Sequence, residues 1–222
     1  AAGFVAVAAG DGVQQLFTDL GVQQIVSGGQ TMNPSTEDIL HAAEQVPAMD
    51  VYVLPNNKNI VMAAEQAARL ARTSGVRRIH VVPTTTIPQG ISAMMAYDES
   101  AEVKANVEAM QEAAEHVQSG SVTFAARDSD YDGHQIHEGE LLALENGKVA
   151  FTGTDLGSVT AKIAKDLMRE DSQFITLLYG ADVSEETAGE VEDAVRALLP
   201  EDVELTLAYG GQPVYYFLIS VE

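Results

Sequence analysis

Over residues 1–100, short apolar β-branched runs alternate with segments of helical periodicity, and this alternation constrains the fold more than any other feature. The runs fall at residues 4–8, 24–27, 51–54 and 79–82, each bounded by Gly, Pro or Asn. Between them, residues 11–20, 35–45 and 59–74 place apolar side chains at helical spacing. Ser35 or Thr36 is positioned as a helix N-cap, with Glu37 and Asp38 in the first turn against the helix dipole, and Gly21 and Gly75 stand where C-caps belong. Strand–helix–strand units of this length predict an α/β fold: a doubly wound, mostly parallel sheet covered on both faces.

The texture changes further along. Helices are predicted at 88–96 and 99–118, then strands at 121–127, 140–144 and 148–151, with Asn146-Gly147 as a type I′ hairpin turn. A helix at 154–170, a strand at 174–179, a helix at 184–199 and strands at 203–208 and 214–221 complete a second, α+β lobe with a mixed sheet. The expected domains are 1–100 and 101–222, with the junction somewhere in 98–120.

Nearly half the residues are apolar, but no apolar run is long enough for a membrane-spanning helix. The opening residues Ala1 to Val7 have no basic n-region and read as a strand, so no signal peptide is expected. The missing initiator methionine suggests a piece of a longer protein. With no cysteine, thiolate metal sites, disulfides and cysteine nucleophiles are excluded, and a cytoplasmic location is the expectation. The formal charge of −21 opposes nucleic acid and anionic membranes. It is uneven: residues 1–97 hold 7 acids and 5 bases, residues 98–222 hold 26 and 7. That pattern suits a solvated face or a dock for a basic partner.

Three loops are candidates for a site, because each follows a strand of the predicted parallel sheet and opens a helix, where ligands of open α/β sheets gather. The first offers Gly28, Gly29, Gln30, Thr31, Asn33 and Ser35; the second Asn56, Asn57, Lys58 and Asn59; the third Thr84, Gln89 and Gly90. Glycines permit close backbone approach, the amides and hydroxyls are neutral hydrogen-bonders, and Lys58 is the one cation. An ordinary capped turn is the competing reading of each. None has the glycine spacing of a dinucleotide fingerprint or the Lys-Ser/Thr pair of a P-loop.

Catalytic residues are not found. There is no Gly-x-Ser-x-Gly elbow, and His41 in a helix and His80 in a strand read as structural histidines. Asp128-Ser129-Asp130-Tyr131-Asp132-Gly133 copies the opening of a calcium loop, but Gly139 stands where its bidentate Glu should be and the flanks read as strands, so the competing reading is an acidic hairpin tip. His134 and His137 would point to opposite faces of a strand, so no metal site is expected. Gly28-Gly29-Gln30 is faintly echoed by Gly210-Gly211-Gln212, too briefly to establish a repeat.

Three segments carry a family resemblance: Val26-Ser27-Gly28-Gly29-Gln30-Thr31-Met32-Asn33-Pro34-Ser35-Thr36, Leu54-Pro55-Asn56-Asn57-Lys58-Asn59-Ile60, and Pro83-Thr84-Thr85-Thr86-Ile87-Pro88-Gln89-Gly90. With the closing stretch from Gly210 to Glu222, they resemble the C-terminal part of the large subunit of bacterial fatty acid kinase, which is dihydroxyacetone-kinase-like. The resemblance implies a fold related to DegV. It implies a kinase whose ATP and magnesium bind an N-terminal domain outside this chain, and no cofactor in the chain itself. The implied partners are that domain and a DegV-type fatty-acid-binding carrier, whose bound acid becomes an acyl phosphate. This chain would be the carrier-docking module, not catalytic alone; a DegV-like lipid binder and a phosphatase-like hydrolase are the alternatives. Thr85 stands where the family pattern often has lysine, which removes a cation from the third loop.

Because the calcium-like loop lacks its bidentate twelfth ligand, millimolar calcium should leave the melting temperature unchanged in differential scanning fluorimetry.

Overall fold

In the computed structural model the chain divides into two units, Ala1–His116 and Val117–Glu222. The structure describes residues 2–131 and 133–222, so Ala1 of the predicted first strand and Asp132 of the calcium-like loop lie outside the described residues.

In the first unit the elements run β1 (Ala2–Ala8), α1 (Asp11–Asp19), β2 (Gln24–Ser27), α2 (Thr36–Gln45), β3 (Asp50–Leu54), α3 (Val61–Ser74), β4 (Arg78–Val81), α4 (Ile87–Met95) and α5 (Val103–His116). The four strands are all parallel, in the order β2-β1-β3-β4. The chain moves one way across the sheet from β1 to β2 and the other way from β2 through β3 to β4. With right-handed crossovers that reversal puts α1 on one face and α2 and α3 on the other. Alternation along the strands follows suit. Val5, Val7, Val51, Val53 and Ile79 pack with Ile39, Ala42 and Ala43 of α2 and Ala64, Ala67 and Ala71 of α3. The opposite face carries an aromatic cluster, in which Phe4 stacks on Tyr52 at 5.3 Å and both meet the edge of Tyr97.

This aromatic face explains where the first unit ends. The Tyr52 hydroxyl is hydrogen-bonded to the side chain of Asn106 on α5, and burial pushes the phenol's pKa up. Asn106 also holds the turn before its own helix, accepting from Asp98 N at 2.9 Å and donating to Asp98 O at 2.8 Å. The division falls after α5, within the junction expected at 98–120 though later than residue 100, and the buried Asn106, Met110 and Ala114 of α5 belong to the first unit. The predicted 99–118 helix is shorter at both ends. Asp98 captures Ser100 N and Oγ in a turn, and Gln118 is already in a strand.

The second unit continues with β5 (Gln118–Phe124), β6 (Ser129–Tyr131), β7 (His134–Ile136), β8 (Leu141–Glu145), β9 (Lys148–Gly153), α6 (Leu156–Leu167), β10 (Phe174–Tyr179), α7 (Glu185–Leu198), β11 (Glu204–Tyr209) and β12 (Phe217–Val221). Its main sheet has the order β11-β10-β12-β5-β8-β9, in which β10 and β11 are parallel and the other neighbours antiparallel. This is the mixed sheet expected of an α+β lobe. Val159 and Ile163 of α6 and Val191 and Val195 of α7 share a core with Val122, Leu177, Phe217 and Ile219 of the sheet. Asn146 at φ 50° and Gly147 at φ 87° form the expected type I′ turn. The strand expected at 121–127 sits earlier, at Gln118–Phe124, because its register is set from the far side by β12, which pairs Gln118 with Val221. The small β6–β7 hairpin, paired from Ser129–Ile136 to Tyr131–His134, is the acidic hairpin read in this stretch.

One ion pair in the first unit gives a test of the register. Asp50 lies opposite Arg78, which holds it through two bonds of 2.8 and 3.0 Å, while His80 Nε2 sits 2.9 Å from the same carboxylate. Arg78, and after it His80, hold the Asp50 carboxyl well below the usual carboxylate range. A depressed carboxyl pKa stabilises the fold above the unfolded value near about 4, and that contribution fades as pH falls toward the folded value. Asp50→Asn should cost about 1 kcal/mol at pH 7, the exposure of Arg78 limiting the effect. The gap from the parent chain should close as urea titrations are moved below about pH 4.

Candidate functional site

The three predicted loops emerge together at the carboxyl edge of the first unit's sheet, as parallel strands require. One buried side chain joins the ends of β1, β3 and β4. Asn56 follows β3 in the left-handed region, at φ 57°, a conformation asparagine tolerates better than other non-glycine residues. Its Nδ2 donates to Val7 O at the end of β1 (3.0 Å), and its Oδ1 accepts from Thr84 Oγ1 in the loop after β4 (2.8 Å). The Asn56 main-chain N–H donates back to Thr84 Oγ1 at 3.0 Å. Asn56 is 7% exposed and Thr84 is fully buried. Gly90, in the first turns of α4, is glycine for this reason: a Cβ there would overlap Asn56 Oδ1.

Asn57 ties in the remaining loop. Its Nδ2 donates to Gly29 O at 2.6 Å, while its Oδ1 accepts from Asn59 N at 2.8 Å, ordering the approach to α3. Gly28 and Gly29 have φ of 147° and 98°, and a Cβ on Gly28 would come within 2.7 Å of Met32 O. Ser35 closes the loop with a capping box on α2: its Oγ accepts from Asp38 N, and Asp38 Oδ2 accepts from Ser35 N. Those two bonds hold the Asp38 carboxyl below its ordinary value. In the third loop Thr86 caps α4 by accepting from Gln89 N, and Gln89 Oε1 accepts from both Thr85 N and Thr85 Oγ1. Gln14 of α1, which the sequence did not single out, links β1 to β2 by donating to Ala8 O and Ser27 Oγ.

The predicted residues therefore separate into two roles. Asn56, Thr84 and Gly90 are buried and hold the loops together, with Asn57 and Gln89 largely engaged in the same way. Thr31, Asn33, Ser35, Lys58 and Asn59 are exposed; Gly28, Gly29 and Gln30 are half-buried. Met32 and Met62, which sequence reasoning passed over, are the most exposed large apolar side chains on this rim. Residues 28–35, 56–59 and 84–90 contain no histidine or carboxylate, but Asp38 closes the first loop through Ser35 N, and Asp11 opens α1 after β1.

Elsewhere, His80 is held by Asp50 and its ring lies against Tyr52, which fits the structural role expected of it. His41, expected as a structural histidine, is instead exposed on α2, because the buried face of that helix is formed by Ile39, Ala42 and Ala43. In the acidic β6–β7 region Asp128 accepts from Glu138 N and Glu140 from His137 N, so these carboxylates serve the backbone. In the second unit, the loop after β11 contains Val214 at φ 71°, an unusual conformation for a β-branched residue. It is held by Thr123 Oγ1 donating to Val214 O at 2.7 Å.

Comparison with known proteins bears on this geometry. A family model for the C-terminal part of FakA-like fatty acid kinase subunits matches residues 3–222. An uncharacterized protein of Staphylococcus haemolyticus is 42% identical over 218 residues, and Protein YloV of Bacillus subtilis 40% over 220. These alignments take in 98% and 99% of this chain but 39% of each relative, so the chain spans well under half their length. Among solved structures, the DegV family protein Cg2579 of Corynebacterium glutamicum superposes with TM-score 0.70 at 13% identity, covering 99% of this chain and 95% of that one. The dihydroxyacetone kinase of C. freundii gives TM-score 0.69 at 14% identity, over 99% of this chain and 48% of that one. The Streptococcus pneumoniae fatty acid kinase B3 protein, loaded with linoleic acid, gives 0.62 at 11%, over 100% and 99%. The fold is thus that of the DegV proteins.

Gly90→Ala should lower stability by about 2 kcal/mol in denaturant titrations, since the new methyl displaces Asn56 and breaks its buried bonds. Gly189→Ala on α7, where a Cβ meets nothing within 4 Å, should be neutral or stabilise by up to about 1 kcal/mol.

Proposed function

Since this chain belongs to the C-terminal family of FakA-like fatty acid kinase subunits, we propose that it is the carrier-docking module of a two-component fatty acid kinase. In this reading a DegV-type fatty-acid-binding protein brings its bound acid to the assembly, and ATP phosphorylates the carboxylate to an acyl phosphate. The observation that carries the reading is the whole-chain family match within relatives more than twice as long.

The exposed rim supports the division of labour. Its loops have no P-loop pattern to cradle phosphates. The reading assigns ATP and magnesium to a part of the kinase other than this chain. What the rim provides is a rigid set of main-chain and amide hydrogen-bonders around Lys58, suited to recognising another protein's surface and one anionic group on it. The DegV fold favours one further reading, an acyl chain held by this chain itself, for which native mass spectrometry showing a copurified fatty acid is the mark.

Lys58 gives the test. In the intact kinase with its carrier, Lys58→Ala should lower acyl-phosphate production several-fold. Stability should change by no more than about 0.5 kcal/mol, because Lys58 is an exposed turn residue. Full activity in a normally folded Lys58→Ala protein would remove the rim from the docking reading.

A further inference from the structure

Residues 210–216 join β11 to β12, and the strand order β11-β10-β12 makes them cross the carboxyl end of β10. Gly180, the first residue after β10, lies against the crossing: a Cβ there would come within 2.3 Å of Tyr215 O and 2.8 Å of Gln212 O. The segment holds this ground with its own carbonyls and one amide. Gly180 N donates to Tyr216 O at 2.9 Å and Ala181 N to Gln212 O at 3.0 Å. Gln212 Nε2 donates to Leu178 O at 2.9 Å and to Tyr215 O at 3.2 Å. Closed in this way, the segment carries two local costs. Val214 has φ 71°, and Tyr215 N donates back to Pro213 O at 2.7 Å, which closes a γ-turn of the rare, strained hand. The other non-glycine residues at positive φ among the described ones are Asn56 and Asn146, a residue type that tolerates it. Gln212 is 1% exposed, yet its Oε1 accepts no hydrogen bond among the described residues, and a buried acceptor without a donor is costly. Against these costs stands a bond from β5, where Thr123 Oγ1 donates to the carbonyl of the strained residue itself, Val214, at 2.7 Å.

We propose that residues 210–216 are a strap, latched shut by Thr123 and opening as one piece while the rest of the chain stays folded. Backbone strain of this kind is concentrated at clamps and switch regions. Opening returns Val214 to extended backbone and turns the Gln212 amide to water, which removes both costs. It gives up the Thr123 bond and the bonds to Gly180, Ala181 and Leu178, so the two arrangements are balanced by opposing contributions. The ground uncovered is the carboxyl end of β10 and the approach to α7, the place in a parallel pair where ligands gather. It presents the N–H groups of Gly180 and Ala181 and the carbonyl of Leu178, neutral partners for an amide or hydroxyl group. Asp182, Glu185 and Glu186 are exposed on the same approach, so an anion is disfavoured there.

The test is native-state hydrogen exchange of the chain, read residue by residue by NMR at several low urea concentrations. The amides of Gly180 and Ala181 should exchange at least about tenfold faster than those of Leu177 and Ile219, which lie on strands paired on both sides. Their exchange should also depend little on urea, because a local opening exposes little surface. Equal rates and equal urea dependence at all four positions would mean that the strap is fixed to the sheet, and would overturn the proposal. Thr123→Val deletes the latching hydroxyl and should speed exchange at Gly180 and Ala181 about tenfold. Val214→Gly, which accepts positive φ without strain, should slow it about threefold. Ile163→Val, in the core beneath α6, weakens the whole unit without touching the strap. It should speed exchange at Leu177 and Ile219 several-fold and leave Gly180 and Ala181 within about twofold. No response of Gly180 and Ala181 to Thr123→Val, or no slowing in Val214→Gly, would remove the strained latch. Acceleration of all four amides alike by Ile163→Val would show that the segment opens only when the unit unfolds, against the proposal.

Discussion

The carboxamide of Asn56 donates to the Val7 carbonyl and accepts from the Thr84 hydroxyl, and through those bonds the ends of β1, β3 and β4 become one surface. In an open α/β sheet the crevice at the reversal of strand order is where a ligand usually finds polar groups. Here the protein's own side chain occupies the junction between β1 and β3. Its polar atoms are satisfied by neighbours, so the cost of burying an amide is offset and the loops are held in one arrangement. Gly90 gives way to it, and Asn57 extends the same device to the loop after β2.

That arrangement reconciles two features that pull in opposite directions. The loops are rich in Gly, Asn, Thr and Ser, residues that ordinarily mark mobile turns. Yet buried bonds and helix caps at Ser35 and Thr86 fix them. A surface ordered before it meets a partner loses less conformational entropy on binding. On the docking reading proposed above, a surface of neutral hydrogen-bonders and one lysine needs no strong charge pairing.

Much of the fold could be read from periodicity alone. The strands at 24–27 and 174–179 coincide with those observed, and Ser35, Gly75 and Asn146-Gly147 occupy the cap and turn roles their chemistry suggests. Local backbone preference and apolar spacing are enough for such elements. The differences lie where distant contacts decide. The unit boundary lies late in the expected 98–120 junction because Asn106 on α5 reaches back to Tyr52 on β3, and β5 shifted because β12, far along the chain, sets its register.

The same division holds for the site. Strand order and helix starts are local enough that the sequence by itself determined which loops gather at the carboxyl edge, and its motifs determined the family. It could not say which of their residues face outward. Asn56 and Lys58 stand two positions apart in one polar run, yet one is buried and the other exposed. Only the tertiary structure decided that, because burial depends on whether a neighbouring strand supplies a donor and an acceptor at hydrogen-bonding distance. Val7 and Thr84, far from Asn56 in sequence, do so for Asn56.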